Sequence, residues 1–579
     1  MKTFTSLSVV MAWGMLVLAG CAEPTRTVQQ QAGPAAVAPV AVTVPSPPPA
    51  LKENKFAPLA LSAPQVNITG SSLRSNAPMP ILAADLNRSP STGLVAENND
   101  RFPDKEANGL MLVAEHPVST FSADVDTASY AFVRRQLSEG RMPPPQAVRI
   151  EEMVNYFPYK YAGPSSRATP FGVTTEVMPS PWNPGKQLVH IAVRGYDIML
   201  AERPPANVVL LIDVSGSMFP PDRLPLLKQG FRLFAAKLRD QDRVSIVSYA
   251  SGTKVVLEPT SGKDRDKIID AIEALGAGGG TAGGAGLERA YAMAERHFNP
   301  KAVNRVILAT DGDFNLGISD PKQLEQFIAG KRKTGVYLSV FGVGEGNLND
   351  ALIQRLTQTG NGNAAYIDSV LEAQKAMSEE LGSTMFPIAN DVKFQVEFNP
   401  AQVAAYRLVG YETRMLKRED FKDDKVDAGD MGAGHSVTAI YEITPAGAGG
   451  KLLDPLRYPG ARASAARPAA RAGDELCFVK LRYKLPGETV SRLIEQPVRA
   501  SSARKSIDAV PDEQRFAVAV AAFGQRLRGE KEVADFSYAD IATLANSARG
   551  TDREGYRAEF VKLVRLTGAL NQEAASGQR

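Results

Sequence analysis

The segment "NVVLLIDVSGSMF", residues 207–219, runs five apolar residues into Asp213 and then sets Ser215 and Ser217 at alternate positions around Gly216. A strand that ends in one carboxylate and two hydroxyls presents oxygen atoms suited to holding a ligand. Two further stretches offer the same kind of atom. "GAGGGTAGGAGLERA" presents Thr281 in a Gly-rich loop ahead of a helix, and "VILATDGDFN" puts Asp311 at the end of a second apolar strand. Ligands in open α/β sheets collect at the carboxyl ends of strands near the switch point, and the three pieces are expected to converge there.

The elements that must position these residues read as follows. From Asn207 to about Phe386 strands such as "VVLLID", "RVSIVSYA", "RVILATD" and "VYLSVFGVG" alternate with amphipathic helical stretches. Several of these strands are almost wholly apolar, as expected when helices cover both sheet faces. The pattern predicts a doubly wound, mainly parallel α/β sheet. Alternating strand patterns lie on both sides of it, in "FGVTTEVM" and "LVHIAVRGYDI" before and in "DVKFQVEFN", "HSVTAIYEIT" and "ELCFVKLRYKL" after. The α/β domain, residues 205–386, is therefore expected to be inserted into a β-sandwich-like domain made of residues 171–204 and 387–500. A helical segment over 110–170, with Asp126 or Thr127 capping its first helix, and a C-terminal helical region over 505–579 complete the expected fold.

The chain ends of this plan read differently. Lys2 followed by the apolar run Leu7 to Leu18 and "LAGC" has the order of an export signal, so residues 1–21 are expected to be a signal peptide. Residues 22–109, rich in Pro and Ala, read as a disordered tether. The loop around 446–474 has no period and four Arg, and reads as mobile and solvated. The chain has 579 residues, with 66 Lys and Arg nearly balanced by 63 Asp and Glu. That balance argues against a nucleic-acid binder, which needs a clustered basic face. Cys477 sits in an alternating strand pattern and reads as a small core residue rather than a reactive thiol.

Rival chemistries fit the sequence poorly. A dinucleotide fingerprint must follow a strand, whereas this Gly-rich loop follows the helix "KDRDKIIDAIEALG". "VSGSM" lacks the G-x-S-x-G elbow of a serine hydrolase. No H-E-x-x-H occurs, and His116, His190, His297 and His435 read as structural. Treating Asp213 and the serines as loop-capping residues leaves Thr281 and Asp311 unexplained. The acidic run Asp420, Asp423, Asp424, Asp427 and Asp430 lacks EF-hand spacing and reads as a solvated turn.

Taken together, Asp213, Ser215, Ser217, Thr281 and Asp311 resemble the metal-ion-dependent adhesion site of the von Willebrand factor A (VWA) family. The flanks, including "FSADVDTASYAFVRRQL" and "DELCFVKLRYKLP", resemble a family of bacterial VWA lipoproteins with a dedicated N-terminal segment and an uncharacterised C-terminal domain. The resemblance implies direct coordination by the two serines, direct or water-mediated contact from Thr281, and the Asp residues acting mainly through water. It implies Mg²⁺, with Mn²⁺ or Ca²⁺ able to substitute, since hard cations take oxygen ligands. Neutral hydroxyls leave the ion electropositive, so an Asp or Glu carboxylate of a partner protein would complete its coordination. "LAGC" resembles a lipobox, which implies lipidation at Cys21. Ala22 after it favours the outer membrane, with the domain facing the periplasm or the cell surface. The expectation is a binding and assembly protein rather than an enzyme. A metal-dependent hydrolase of an envelope substrate and an accessory subunit of an ion channel are the alternatives.

Overall fold

The computed structural model describes residues 100–577, apart from 104, 124–125, 281–284, 313–319, 347, 381, 383–384, 427 and 448–472. The expected signal peptide, Cys21, most of the tether, Thr281 and nearly all of the Arg-rich loop lie outside the described residues. Two short strands open the fold, β1 (Met111–Leu112) and β2 (Val118–Ser122), followed by helices α1 (Ala128–Ser138) and α2 (Ile150–Asn155). The hairpin β3 (Phe171–Pro179) and β4 (Gln187–Gly195) leads into the α/β domain.

That domain runs β5 (Ala206–Asp213), α3 (Leu224–Lys237), β6 (Arg243–Tyr249), β7 (Thr253–Ser261), α4 (Arg265–Glu273), α5 (Gly286–Arg296), β8 (Val303–Thr310), α6 (Pro321–Lys333), β9 (Val336–Val343), α7 (Asp350–Thr359), β10 (Ala364–Ile367) and α8 (Val370–Gln374). The sheet order is β10-β9-β8-β5-β6-β7, parallel throughout except for the antiparallel edge strand β7. All eight residues of β5 are buried, because α3, α4 and α8 pack on one sheet face and α5, α6 and α7 on the other. This is the doubly wound arrangement the sequence predicts.

The chain then builds β11 (Pro387–Phe398), β12 (Val403–Val409), β13 (Gly429–Gly432), β14 (Ser436–Pro445), β15 (Glu475–Lys484) and β16 (Arg492–Arg499). One sheet is β1-β12-β14-β4-β3; the other is β13-β11-β15-β16, with β2 also paired to β11. The two sheets share a core in which Phe121 stacks on Phe394 at 4.9 Å and Phe398 on Tyr406 at 4.1 Å. Cys477 is part of that core, and burial pushes its thiol up to about 12, which makes it unreactive. Three C-terminal helices, Asp512–Arg528, Tyr538–Ser547 and Tyr556–Gly577, share a second core with α1, α2 and residues Met178, Leu188, Val409 and Ile440 of the first sheet.

The segment before α1 departs from expectation in three ways. It is not purely helical, because β1 and β2 each join a different sheet of the sandwich. Nor does the tether extend to 109: the Arg101 amide donates to the Leu348 carbonyl at 2.9 Å, and Asn108 donates to the Gly410 carbonyl at 2.7 Å. Finally, Thr127 occupies the cap position of α1 without a side-chain cap, and Asp126 instead accepts from the Ala364 amide and from Arg414. A long-range ion pair outcompetes the local cap there because the carboxylate is buried and needs charge as well as hydrogen bonds. Among the described residues no helix is long and apolar enough to cross a membrane.

Arg134 of α1 ties these parts together, pairing with Asp368 after β10, with Glu372 of α8 at 2.8 Å and with Glu559 at 3.2 Å. Replacing Arg134 with Ala removes the cation that buried Asp368 and Glu372 share. Loss of about 3–5 kcal/mol of stability is expected, read as a lower denaturant midpoint. An unchanged midpoint would show that the ion pairs are not coupled to folding.

Candidate metal centre

The chain runs from β5 outward to β6 and later returns to β8 on the opposite side of β5, so the switch point lies between β5 and β8. Asp213 is the last residue of β5, and Asp311 follows the last residue of β8. The two carboxylates thus emerge side by side from adjacent parallel strands. Past Asp213 the chain turns through a short 3₁₀ segment, Gly216–Met218. The Ser215 amide donates to Asp213 Oδ1 at 2.8 Å, and the Ser215 and Ser217 hydroxyl oxygens lie 2.9 Å apart.

The Gly-rich loop is laced onto this turn by backbone. The Gly216 amide donates to the Gly279 carbonyl at 2.9 Å, and the Gly278 amide donates to the Val214 carbonyl at 2.8 Å. Gly279 has φ +82°, and a Cβ there would sit 2.8 Å from Ser251 Oγ, which itself accepts from the Gly280 amide at 2.8 Å. Glycine is required by both the backbone conformation and the space. The lacing fixes the chain up to Gly280, the residue before Thr281. Four of the five expected residues are described, and Asp213, Ser215, Ser217 and Asp311 converge on one site.

Asp213 and Asp311 are each no more than 1% exposed. Burial pushes the Asp213 carboxyl up to about 6; the Ser215 amide opposes the shift, and the nearby Asp311 charge adds to it. Asp311 Oδ1 is buried with no hydrogen-bond partner among the described residues, and the buried Asp213 carboxylate has the Tyr249 hydroxyl beside it as well as Ser215. A buried carboxylate oxygen left without a partner is costly, and a hard cation with its waters satisfies it. The donor set of two carboxylates and two hydroxyls fits such an ion.

Sequence reasoning missed Arg223. It precedes α3, and its guanidinium donates to Asp311 Oδ2, to the Ser217 carbonyl at 3.0 Å and to the Glu345 carbonyl at 3.1 Å. Asp311 lies 88 residues away in the chain, so no local pattern announces the contact. Phe219, 76% exposed, flanks the serine turn and was also not singled out.

The other sequence candidates have structural roles. The acidic run is a solvent-facing turn, as the sequence suggests: Asp423 and Asp424 are exposed, the Asp420 and Asp423 backbone carbonyls accept from buried Lys393 at 3.0 and 2.6 Å, and Asp424 pairs with Arg482 at 3.0 Å. Asp427 lies outside the described residues. Among the described residues, no three or more His, Cys, Asp or Glu side chains cluster as a metal site would.

A doubly wound sheet with this oxygen-lined turn defines a VWA domain, and comparison with known families agrees. Residues 208–313 match the model of the von Willebrand factor type A domain, 96–190 that of von Willebrand factor, and 383–570 that of "Uncharacterized protein YfbK, C-terminal". The chain belongs to the family of the Escherichia coli (strain K12) "Uncharacterized protein YfbK", with which it is 42% identical over 83% of either chain. A mouse "Calcium-activated chloride channel regulator 1" is 35% identical over 19% of this chain and 12% of its own length. Among solved structures, a "von Willebrand factor type A from Catenulispora acidiphila" aligns over 68% of this chain and 89% of its own, at 18% identity and TM-score 0.37.

Replacing Gly279 with Ala is expected to cost about 1–2 kcal/mol, from the left-handed backbone strain, and to loosen the loop. Hydrogen exchange at the Gly216 and Gly278 amides should accelerate in step. Unchanged protection would show that the loop is held elsewhere.

Proposed function

We propose that the VWA domain binds one Mg²⁺ through Ser215, Ser217 and Thr281, with Asp213 and Asp311 orienting its waters, and so captures an acidic residue of a partner protein. The observation that carries this reading is the pair of buried carboxylates, Asp213 and Asp311, with Asp311 Oδ1 lacking a hydrogen-bond partner among the described residues, at a turn whose two serine hydroxyls lie 2.9 Å apart. When bound, the ion supplies an electropositive point with an open position for a carboxylate. The serine hydroxyls are neutral ligands and leave that charge uncancelled. The backbone lacing of the Gly-rich loop holds the turn in shape before any ligand arrives, which lowers the ordering cost of binding. Exposed Phe219 lets a partner bury apolar surface next to the ionic contact. Mn²⁺ or Ca²⁺ would occupy the same oxygen set less selectively. The protein works by binding and assembly rather than by catalysis. It is held in the bacterial envelope through a lipid on Cys21, at the outer membrane, with the domain facing the periplasm or the cell surface.

Calorimetric titration of the full chain with Mg²⁺ should give one saturable site, abolished by Asp213→Ala with the circular dichroism spectrum retained. Envelope proteins retained on the immobilised chain with Mg²⁺, and lost with chelator or Asp213→Ala, would identify the partner. A folded wild-type chain that takes up no divalent cation would overturn the proposal.

The affinity should also depend on pH. With its carboxyl at about 6, Asp213 of the empty site is protonated below that value, and cation binding must expel the proton. Affinity is therefore full above pH 6 and falls by about tenfold for each unit below it, for one displaced proton. A Kd constant between pH 5 and 7 would contradict this.

A further inference from the structure

We infer that Arg223 is a fixed counter-charge of the cation site, which weakens cation binding and in return keeps the loaded site positive enough to hold a partner's carboxylate. The inference rests on the cation reading above and concerns what that reading leaves unexplained, namely how a site with two buried carboxylates attracts a third.

The charges decide the matter. Asp213 and Asp311 together carry two negative charges, which a divalent cation would cancel. A neutral site has no net pull on an incoming carboxylate. Arg223 lies against Asp311 Oδ2 and adds one positive charge. The loaded site then carries one net positive charge.

The guanidinium is built in rather than swung in from the surface. The Arg223 side chain is 13% exposed, and its acceptors come from three separate segments: the serine turn, the end of β8 and the turn after β9. Gly344 makes room for it: φ there is +74°, and a Cβ would be driven into the Arg223 side chain. The contact also spares the atoms that matter. Arg223 occupies Oδ2 of Asp311 and leaves Oδ1 free of hydrogen-bond partners among the described residues, so the arginine and a hydrated cation do not compete for one oxygen. Lysine, with a single ammonium, would keep the charge without the fork that reaches all three acceptors.

The test uses the full chain, with Mg²⁺ binding followed by calorimetry and fluoroacetate, a monocarboxylate, followed by ¹⁹F NMR in the presence of Mg²⁺. Arg223→Gln is expected to bind Mg²⁺ roughly tenfold more tightly, because a like charge a few ångströms away has been removed. Its magnesium-dependent binding of fluoroacetate should fall by at least about fivefold for the same reason. Arg223→Lys should stay close to wild type in both. Where Arg223→Gln does not fold, Gly344→Ala, which pushes the guanidinium off Asp311, should shift both affinities in the same directions. Wild-type and Arg223→Gln chains with equal Mg²⁺ affinity, or a variant that binds Mg²⁺ more weakly with its fold intact, would overturn the counter-charge role and leave the cation site standing. A wild-type chain that binds no Mg²⁺ would overturn both.

Discussion

Two carboxylates, Asp213 and Asp311, are buried at the ends of adjacent strands. Such charges persist in a protein interior only where donors or ions compensate them. Here the Ser215 amide and the Tyr249 hydroxyl lie against Asp213 and Arg223 takes one oxygen of Asp311, leaving Asp311 Oδ1 without a hydrogen-bond partner among the described residues. The rest of the local architecture serves this arrangement. The all-buried β5 fixes the position of Asp213, the parallel pairing of β5 with β8 brings Asp311 beside it, and the Gly-rich loop closes the turn by backbone hydrogen bonds.

The domain carrying the site is set into its surroundings by buried ion pairs. Arg149 ahead of α2 bridges Glu152 and Asp350 of α7 at 2.5 and 2.6 Å, and Arg414 after β12 reaches Asp126 at 2.8 Å. With the Arg134 cluster, these contacts join the N-terminal segment, the sandwich and the α/β domain through charges that tolerate one geometry. Buried pairs of this kind add little net stability compared with apolar packing, but mismatching them is expensive. They hold the sheet that carries the site at a fixed attitude to its flanks. A rigid platform suits recognition of a partner by a single point contact, since little ordering entropy is left to lose.

Much of this was legible in the chain. The wholly apolar strands imply a sheet covered on both faces, and the D-x-S-x-S turn, the Gly-rich loop and the "TDG" after a second strand imply a shared site, because the carboxyl ends of neighbouring parallel strands must meet. The hairpin of β3 and β4 and the buried, inert Cys477 also follow from alternation. Local capping was misread at Asp126, where a short polar residue before a helix reads as a cap until an arginine almost 290 residues later claims it. The acidic run near 420 is the solvated turn its composition suggests, but nothing local announces Lys393 and Arg482 as its partners.

What the sequence by itself determined is the period of each element, the oxygen chemistry of the turn and hence the class of ligand. These depend on residue type and near spacing, which local sterics and hydrogen-bonding capacity translate directly into structure. Only the tertiary structure decided that β1 and β2 leave the helical segment for two different sheets, that the ordered chain is already docked at residue 100, and that Arg223 faces Asp311 with Gly344 making room for it. Each of these is a pairing between segments tens to hundreds of residues apart. Charge and edge complementarity act through space, and a linear pattern records which groups need partners but not which partners the fold brings to them.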